Sequence, residues 1–176
     1  LKDKGNLQSG QRVFINGASG GVGSYAVRIA KNLGTEVWAT CSNRNFEYVK
    51  SLGADQVIDY KTVNLKELSE KFDVFLDVAA RTSFGETNSL LSSNGTYVSL
   101  LPMSPIFLWG KLRSFLGSKN CRGVLVKSKN SDLSLLSKWM TEDKLNISVD
   151  TSFSLTDVIN ALQKFEAGGI NGKIAV

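Results

Sequence analysis

Asn16-Gly17-Ala18-Ser19-Gly20-Gly21-Val22-Gly23 is the stretch whose reading decides the fold. It leaves an apolar run, Val13-Phe14-Ile15, and opens a segment in which Val22, Ala26, Ile29, Ala30 and Leu33 recur at spacings of three and four, with Gly34 as the stop. A glycine-rich turn between a strand and a helix points free backbone N–H groups and the positive end of the helix dipole at an approaching anion. In the general form of such a turn one glycine makes the tight bend, a second lets backbone reach a phosphate, and a third packs helix on strand. Gly20 and Gly23 stand in the second and third places; Ala18 stands in the first, which demands a negative φ there. Ala18, Ser19, Gly20, Gly21, Val22 and Gly23 are the expected pyrophosphate cradle, with a ligand-free structural turn as the other reading.

Outward from this turn, short β-branched or aromatic runs alternate with helix-period segments. Strands are expected over 12–16, 36–41, 56–58, 73–77, 96–101, 123–127 and 173–176. Several are apolar without alternation (Val13-Phe14-Ile15, Val74-Phe75-Leu76, Val124-Leu125-Val126), as strands covered on both faces must be. Phe46, Val49 and Leu52 before Gly53 predict a second helix. Leu155, Val158, Ile159, Leu162 and Phe165 predict another, opened by a Ser154/Asp157 capping box and closed by Gly168 and Gly169. The pattern predicts an α/β fold of the Rossmann type, a doubly wound parallel sheet flanked by helices, as one domain over residues 1–176. The apolar side of 105–117 predicts a lid or packing helix, against the alternative of an interfacial membrane helix.

Hydrophobic residues at 42% and charged residues at 21% suit a folded globular chain rather than a disordered one. No apolar run approaches the roughly 20 residues that span a bilayer, no signal peptide is read at the start, and a cytoplasmic setting is the simplest expectation. Two cysteines, Cys41 and Cys121, and no histidine exclude a disulfide scaffold and an ordinary zinc site built from this chain alone. The net charge of +5 is scattered, so a polyanionic small molecule explains it better than nucleic acid.

The end of the second strand selects the anion. An NAD-preferring site places a carboxylate about 20 residues beyond the glycines to accept from the ribose 2′-hydroxyl. Here stands Cys41-Ser42-Asn43-Arg44-Asn45, with no carboxylate from Val37 through Phe46. Ser42 and Arg44 can donate to a 2′-phosphate, so NADP(H) is the expected cofactor; alternatively they decorate a helix start.

The run Gly10-Gln11-Arg12-Val13-Phe14-Ile15 through Gly23, then Leu52-Gly53-Ala54-Asp55, Val57-Ile58-Asp59-Tyr60 and the closing Gly172-Lys173-Ile174-Ala175-Val176, resembles the cofactor domain of medium-chain dehydrogenase/reductases. It is most similar to the zinc-independent quinone oxidoreductase branch, with zeta-crystallin-like and reticulon-interacting-protein-like members. The resemblance implies NADPH-dependent reduction of quinones or α,β-unsaturated carbonyls by hydride transfer. It places Tyr60 beside the adenosine end, with a plain packing aromatic as the alternative, and the turns after Asp77 and Leu100 near the nicotinamide. It implies a homodimer through an edge strand near Val124-Leu125-Val126-Lys127. Members carry an N-terminal GroES-like domain holding most of the substrate pocket; this chain reads as the cofactor domain of such a two-domain enzyme without it. Asp77 is expected to be structural, and no catalytic acid is assigned. The competing expectation is a non-catalytic NADP(H)-binding module that senses redox state or binds a partner or RNA.

Overall fold

The computed structural model describes residues 1–125, 129–146 and 149–176. In chain order its elements are α1 (Lys2–Gly5), β1 (Arg12–Asn16), α2 (Gly21–Asn32), β2 (Glu36–Cys41), α3 (Phe46–Ser51), β3 (Gln56–Asp59), β4 (Phe72–Asp77), α4 (Phe84–Thr87), β5 (Leu91–Ser99), α5 (Pro105–Ser114), β6 (Asn120–Gly123), α6 (Asn130–Thr141), β7 (Val149–Ser152), α7 (Val158–Ala167) and β8 (Lys173–Ala175). Six strands form one parallel sheet in the order β3-β2-β1-β4-β5-β6, the doubly wound arrangement that the alternation predicts.

The unalternating apolar triplets are explained by the pleat. Side chains of successive residues point to opposite faces, so Val13 and Ile15 enter one core with Val74, Leu76 and the buried side of α2. Phe14 and Phe75 enter the other, with Phe72, Tyr97, Phe84 and Phe107. Phe14 and Phe75 stack with centroids 4.8 Å apart, a geometry contributing about 0.5–1.5 kcal/mol beyond burial. Both faces of the central strands are covered, so their middle positions are apolar on both sides.

Away from the centre the structure departs from the pattern. The strand expected over 123–127 lies earlier, at β6, and pairs Asn120 to Gly123 with Thr96 to Ser99. Of its residues only Cys121 is buried, so no apolar run marks it; Val126 and Lys127 lie outside the described residues. β5 begins at Leu91 rather than Thr96, with a register shift in its pairing between Phe72 and Val74. The closing strand leaves the main sheet and pairs with β7, which the pattern did not reveal, in a separate two-stranded sheet. The helix α6 also went unread.

Ser154 forms no capping bond; its hydroxyl is 2.8 Å from Thr156 Oγ1, and α7 starts after a short 3₁₀ turn, with Asp157 at its N-cap. The apolar face of α7 is genuine, yet Leu155, Ile159, Leu162 and Phe165 are exposed and only Ala161 is buried. In α5, Phe107 and Gly110 pack on the protein while Ile106, Leu108, Trp109 and Leu112 face outward. Packing on its own protein therefore accounts for one side of that helix.

Asp55 ties α2, β2 and the turn after α3 together. Gly53 takes φ +102, and two residues on the Asp55 carboxylate accepts from the Val37 N–H at 2.7 Å and from Lys31 Nζ at 2.8 Å. Burial works to raise its pKa, but the Lys31 and Val37 bonds outweigh burial and hold it below the ordinary value. A lowered carboxylate pKa contributes stability above the unfolded value and loses it as the pH falls through the folded one. The stability difference between wild type and Asp55→Asn, measured by urea unfolding at several pH values, should be largest at neutral pH and shrink below roughly pH 4.

Candidate functional site

At the carboxyl end of β1 the chain turns sharply at Gly17, whose φ is +91. The tight bend thus falls one place before Ala18, which stays out of the left-handed region and buries its methyl completely. Thr40 holds the bend from β2: its Oγ1 accepts the Gly17 N–H at 3.0 Å and its carbonyl accepts the Ala18 N–H at 2.8 Å. Ala18 therefore faces the core with its N–H already engaged.

Gly20 caps α2 with φ −75, and a Cβ there would meet nothing within 4 Å. Neither conformation nor crowding inside the chain requires glycine at that position; the room a side chain would fill lies in front of the helix. Gly23 is the opposite case, since a Cβ would strike the Gly17 carbonyl oxygen and stand 2.7 Å from Ala18 Cα. The first intrahelical bond runs from Ser24 N–H to Gly20, so the N–H groups of Gly21, Val22 and Gly23 precede it. The first turn carries no acidic side chain. The Val22 side chain is 53% exposed, above the turn rather than on the apolar face to which its spacing assigned it. Gly23, Ala26, Val27 and Ala30 make the buried face instead. Such a cradle suits a dinucleotide pyrophosphate: open space at Gly20, unpaired N–H groups and no opposing charge.

Under the turn lies a buried polar junction. Thr40 Oγ1 donates to Asn16 Oδ1 at 2.7 Å, and Asn16 Nδ2 donates to Asp77 Oδ1 at 2.9 Å. Asp77 Oδ2 accepts from the Thr82 N–H at 3.0 Å and the Thr82 hydroxyl at 2.8 Å. The Tyr97 hydroxyl lies between the Thr82 carbonyl, at 2.7 Å, and Asp77 Oδ2, at 3.1 Å. Burial, then the Asp77 charge, raises the Tyr97 pKa above its ordinary value, so this phenol stays protonated. Asp77 is structural as expected, but it does not cap a helix: Ser83 and Glu86 cap α4 with a complete capping box.

Ser42 opens the short 3₁₀ turn 43–45 at the carboxyl end of β2 and is half-buried. Arg44, exposed on that turn, lays its guanidinium on the C-terminal loop: a Cβ at Gly169 would stand 2.5 Å from Arg44 Cζ. Tyr60 follows β3, 48% exposed, and donates its N–H to the Cys41 carbonyl. All three sit on the carboxyl edge that carries the glycine turn. On the other side of that turn, Val78 and Ala79 donate their N–H groups to the Asn16 carbonyl, and Ala80 takes φ +53. Beyond β5, the Ser99 hydroxyl accepts the Leu101 N–H. Asn94 lines a polar cavity with Asp73 and Ser92, away from this edge.

With this geometry in view, comparison with known proteins is direct. Residues 52–176 match the family model described as "Zinc-binding dehydrogenase". The chain is 39% identical to the chloroplastic quinone oxidoreductase QR1 of Triphysaria versicolor, covering 94% of this chain and 52% of that protein. The chain belongs to the medium-chain dehydrogenase/reductase superfamily. It is a cofactor-binding domain of that superfamily, and its relatives include proteins named as quinone oxidoreductases. The trans-enoyl reductase pgmF of Aspergillus terreus is 34% identical over all of this chain and 53% of its own length. The solved quinone oxidoreductase of Coxiella burnetii superposes with a TM-score of 0.86 at 28% identity, covering 98% of this chain and 54% of that one. The chain spans about half the length of the relatives it matches. The superfamily's cofactor domain takes a nicotinamide dinucleotide. The zinc of the family description does not fit here: among the described residues no three His, Cys, Asp or Glu side chains group to hold a metal. Burial raises both thiols, Cys41 and Cys121, to a pKa of about 11, as protonated core residues.

Sequence reasoning missed Thr40, Asn16 and the contacts of the C-terminal loop. Asn16 closes β1 and Thr40 stands one residue before the end of β2, each polar after an apolar run, a signal that was available; the loop contacts left no local trace.

Two substitutions test this description. Gly23→Ala should destabilise the protein by about 1–3 kcal/mol and abolish the thermal shift given by dinucleotide, because the obstructing atoms are backbone. Asp77→Asn should cost about 2–4 kcal/mol in urea unfolding, since either orientation of the new amide sets a donor against a donor, Asn16 Nδ2 or the Thr82 pair.

Proposed function

We infer that this chain is the NADP(H)-binding half of an oxidoreductase that reduces quinones or α,β-unsaturated carbonyls. The observation that carries the reading is the open cradle at Gly20, with no acidic side chain in its first helical turn, beside a second-strand end that offers Ser42 and Arg44 and no carboxylate. Backbone N–H groups from Gly21 to Gly23 hold the pyrophosphate, with Ser19 and Gly20 shaping the approach and Val22 covering it. Ser42 and Arg44 take the 2′-phosphate, and Tyr60 flanks the adenosine. Once bound, the cofactor supplies a hydride from its nicotinamide. The protein's own contribution is orientation: the turns after Asp77 and Leu100 hold the ring at the carboxyl edge, and the Asp77 junction fixes one of those turns.

The substrate class follows the relatives, named as quinone oxidoreductases and as reductases of enoyl and methylene-furanone compounds. A homodimer through the open β6 edge, near Val124 and Leu125, belongs to the same reading: β6 is the sheet's last strand, and Leu125 beside it is exposed. No helix among the described residues is long and apolar enough to cross a membrane. A cytoplasmic setting completes the proposal, although some relatives are named as chloroplastic or mitochondrial forms.

NADPH should bind more tightly than NADH, and Arg44→Ala should erase at least about tenfold of that preference, as the loss of a charge-assisted bond requires. Calorimetric titration of both cofactors into both proteins measures it. Tighter binding of NADH by the wild type would sink the cofactor assignment. Absence of quinone- or enone-dependent NADPH oxidation by the full-length protein would sink the activity.

A further inference from the structure

The amino ends of the strands carry a second concavity, at the opposite end of the sheet from the glycine turn. It measures about 500 Å³, within the roughly 300–1,000 Å³ of clefts that take small molecules. Part of its wall comes from a misfit between β4 and β5. From the Phe72–Leu91 pair to the Val74–Thr96 pair, β4 advances two residues and β5 five, so the surplus residues, Asn94 among them, have no partner on β4. Another wall is α1, which approaches the sheet closely because Gly5 is buried there: a Cβ at that position would stand 3.1 Å from Val74 Cγ1.

The lining is polar where a covered sheet is apolar. Thr96 and Val98 share one face of β5, and their register partners on β6 are Asn120 and Arg122. Val98 belongs to the core, whereas Thr96, Asn120 and Arg122 line the opening. No aromatic side chain among the described residues lines it, so an adenine, nicotinamide or quinone ring has nothing to stack on.

The charges around it are unevenly committed. Asp73 accepts the Arg12 N–H at 2.9 Å and the Ser92 hydroxyl at 3.1 Å, and Asp3 pairs with Lys129 at 2.7 Å. Lys4 and Arg122 line the same opening and enter no ion pair among the described residues. An anion therefore meets two uncommitted cations. Neutral hydroxyls meet the amides of Asn94 and Asn120 and the hydroxyl of Thr96, each of which both donates and accepts. The Asp73 carboxylate accepts from a hydroxyl and repels a second anionic group. One anionic end on a polyhydroxylated body satisfies all of these together. We propose that this opening is a binding site for a sugar monophosphate, with the phosphate on Lys4 and Arg122 and the sugar hydroxyls on Asn94, Asn120, Thr96 and Asp73. The site is independent of the dinucleotide reading: β4, six residues long, sets the two ends of the sheet roughly 17–20 Å apart, so both sites fill at once.

The test is an amide-resolved NMR titration of the chain with glucose 6-phosphate, ribose 5-phosphate, glucose and inorganic phosphate. A sugar phosphate should bind with a Kd of about 1 mM or tighter, moving the amides of Asn94, Thr96, Asn120 and Arg122 and leaving those of Gly20 to Gly23 in place. Glucose and inorganic phosphate should each bind at least about tenfold more weakly, since each fills only part of the site. Arg122→Gln should weaken the sugar phosphate about tenfold, and Arg122→Lys should recover it to within about threefold because the charge is kept. Asn94→Ala, at a position remote from the charge, should weaken it about threefold. Arg122 and Asn94 are exposed, so the ligand-free variants should melt with the wild type. Stationary amides at these four positions with both sugar phosphates overturn the proposal, as do shifts confined to the glycine turn. Inorganic phosphate binding as tightly as the sugar phosphates overturns it too, by reducing the opening to a patch for anions.

Discussion

The site depends on one buried junction, the chain of bonds from Thr40 through Asn16 to Asp77 and Thr82. It joins the carboxyl ends of β2, β1 and β4 with side chains, where the ladder of backbone bonds gives out. A buried carboxylate is tolerable only with its oxygens engaged, and here both are. The consequence is positional. Thr40 also holds the Gly17 and Ala18 N–H groups, and the Asn16 carbonyl accepts from Val78 and Ala79, so the turns after β1 and β4 are set from the same point. On the proposed reading those two turns serve the pyrophosphate and the nicotinamide of one cofactor, and this junction keeps their spacing fixed.

What was legible in the sequence follows from burial. β1, β2 and β4 are covered on both faces, so their apolar runs declare them, and the glycine turn between the first strand and helix declares the site. β6 and β7 are short and bury only Cys121 between them; with so few buried positions there is little pattern to read. The displaced bend is different in kind. Motif spacing assigned the first role to Ala18, but an alanine avoids left-handed φ, and the turn shifts to the adjacent Gly17, which accepts it. The Ser154 cap failed because its hydroxyl pairs with that of Thr156, two residues on, instead of with a helix N–H. Contacts between Arg44 and Gly169, or Lys173 and Gly21, join residues more than a hundred positions apart and leave no periodicity at all.

The C-terminal unit of β7, α7 and β8 is held differently from the rest. Its helix buries one residue, Ala161, while most of its apolar face is open. Its firm attachments are polar and local: the Gly172 to Ser19 bond, and the Asp150 and Lys164 pair that braces its own turn. An element with few buried apolar contacts opens at lower free energy than the core sheet. The loop that touches the cradle thus belongs to a part of the fold with little hydrophobic anchoring.

That weakness has a thermodynamic reading. On the proposed reading, a 2′-phosphate held by Arg44 joins the cofactor to the loop on which that guanidinium rests, and the C-terminal unit is stabilised by mass action along with it. Order in the loop and affinity for a cofactor bearing that phosphate are then one linked quantity: a change that loosens the Gly172 to Ser19 fastening weakens the hold of Arg44, and a dinucleotide that recruits Arg44 tightens the fastening. Protection of the Gly172 amide from hydrogen exchange is the quantity that reports this linkage. It should rise more with NADPH than with NADH, and the difference should vanish in Arg44→Ala.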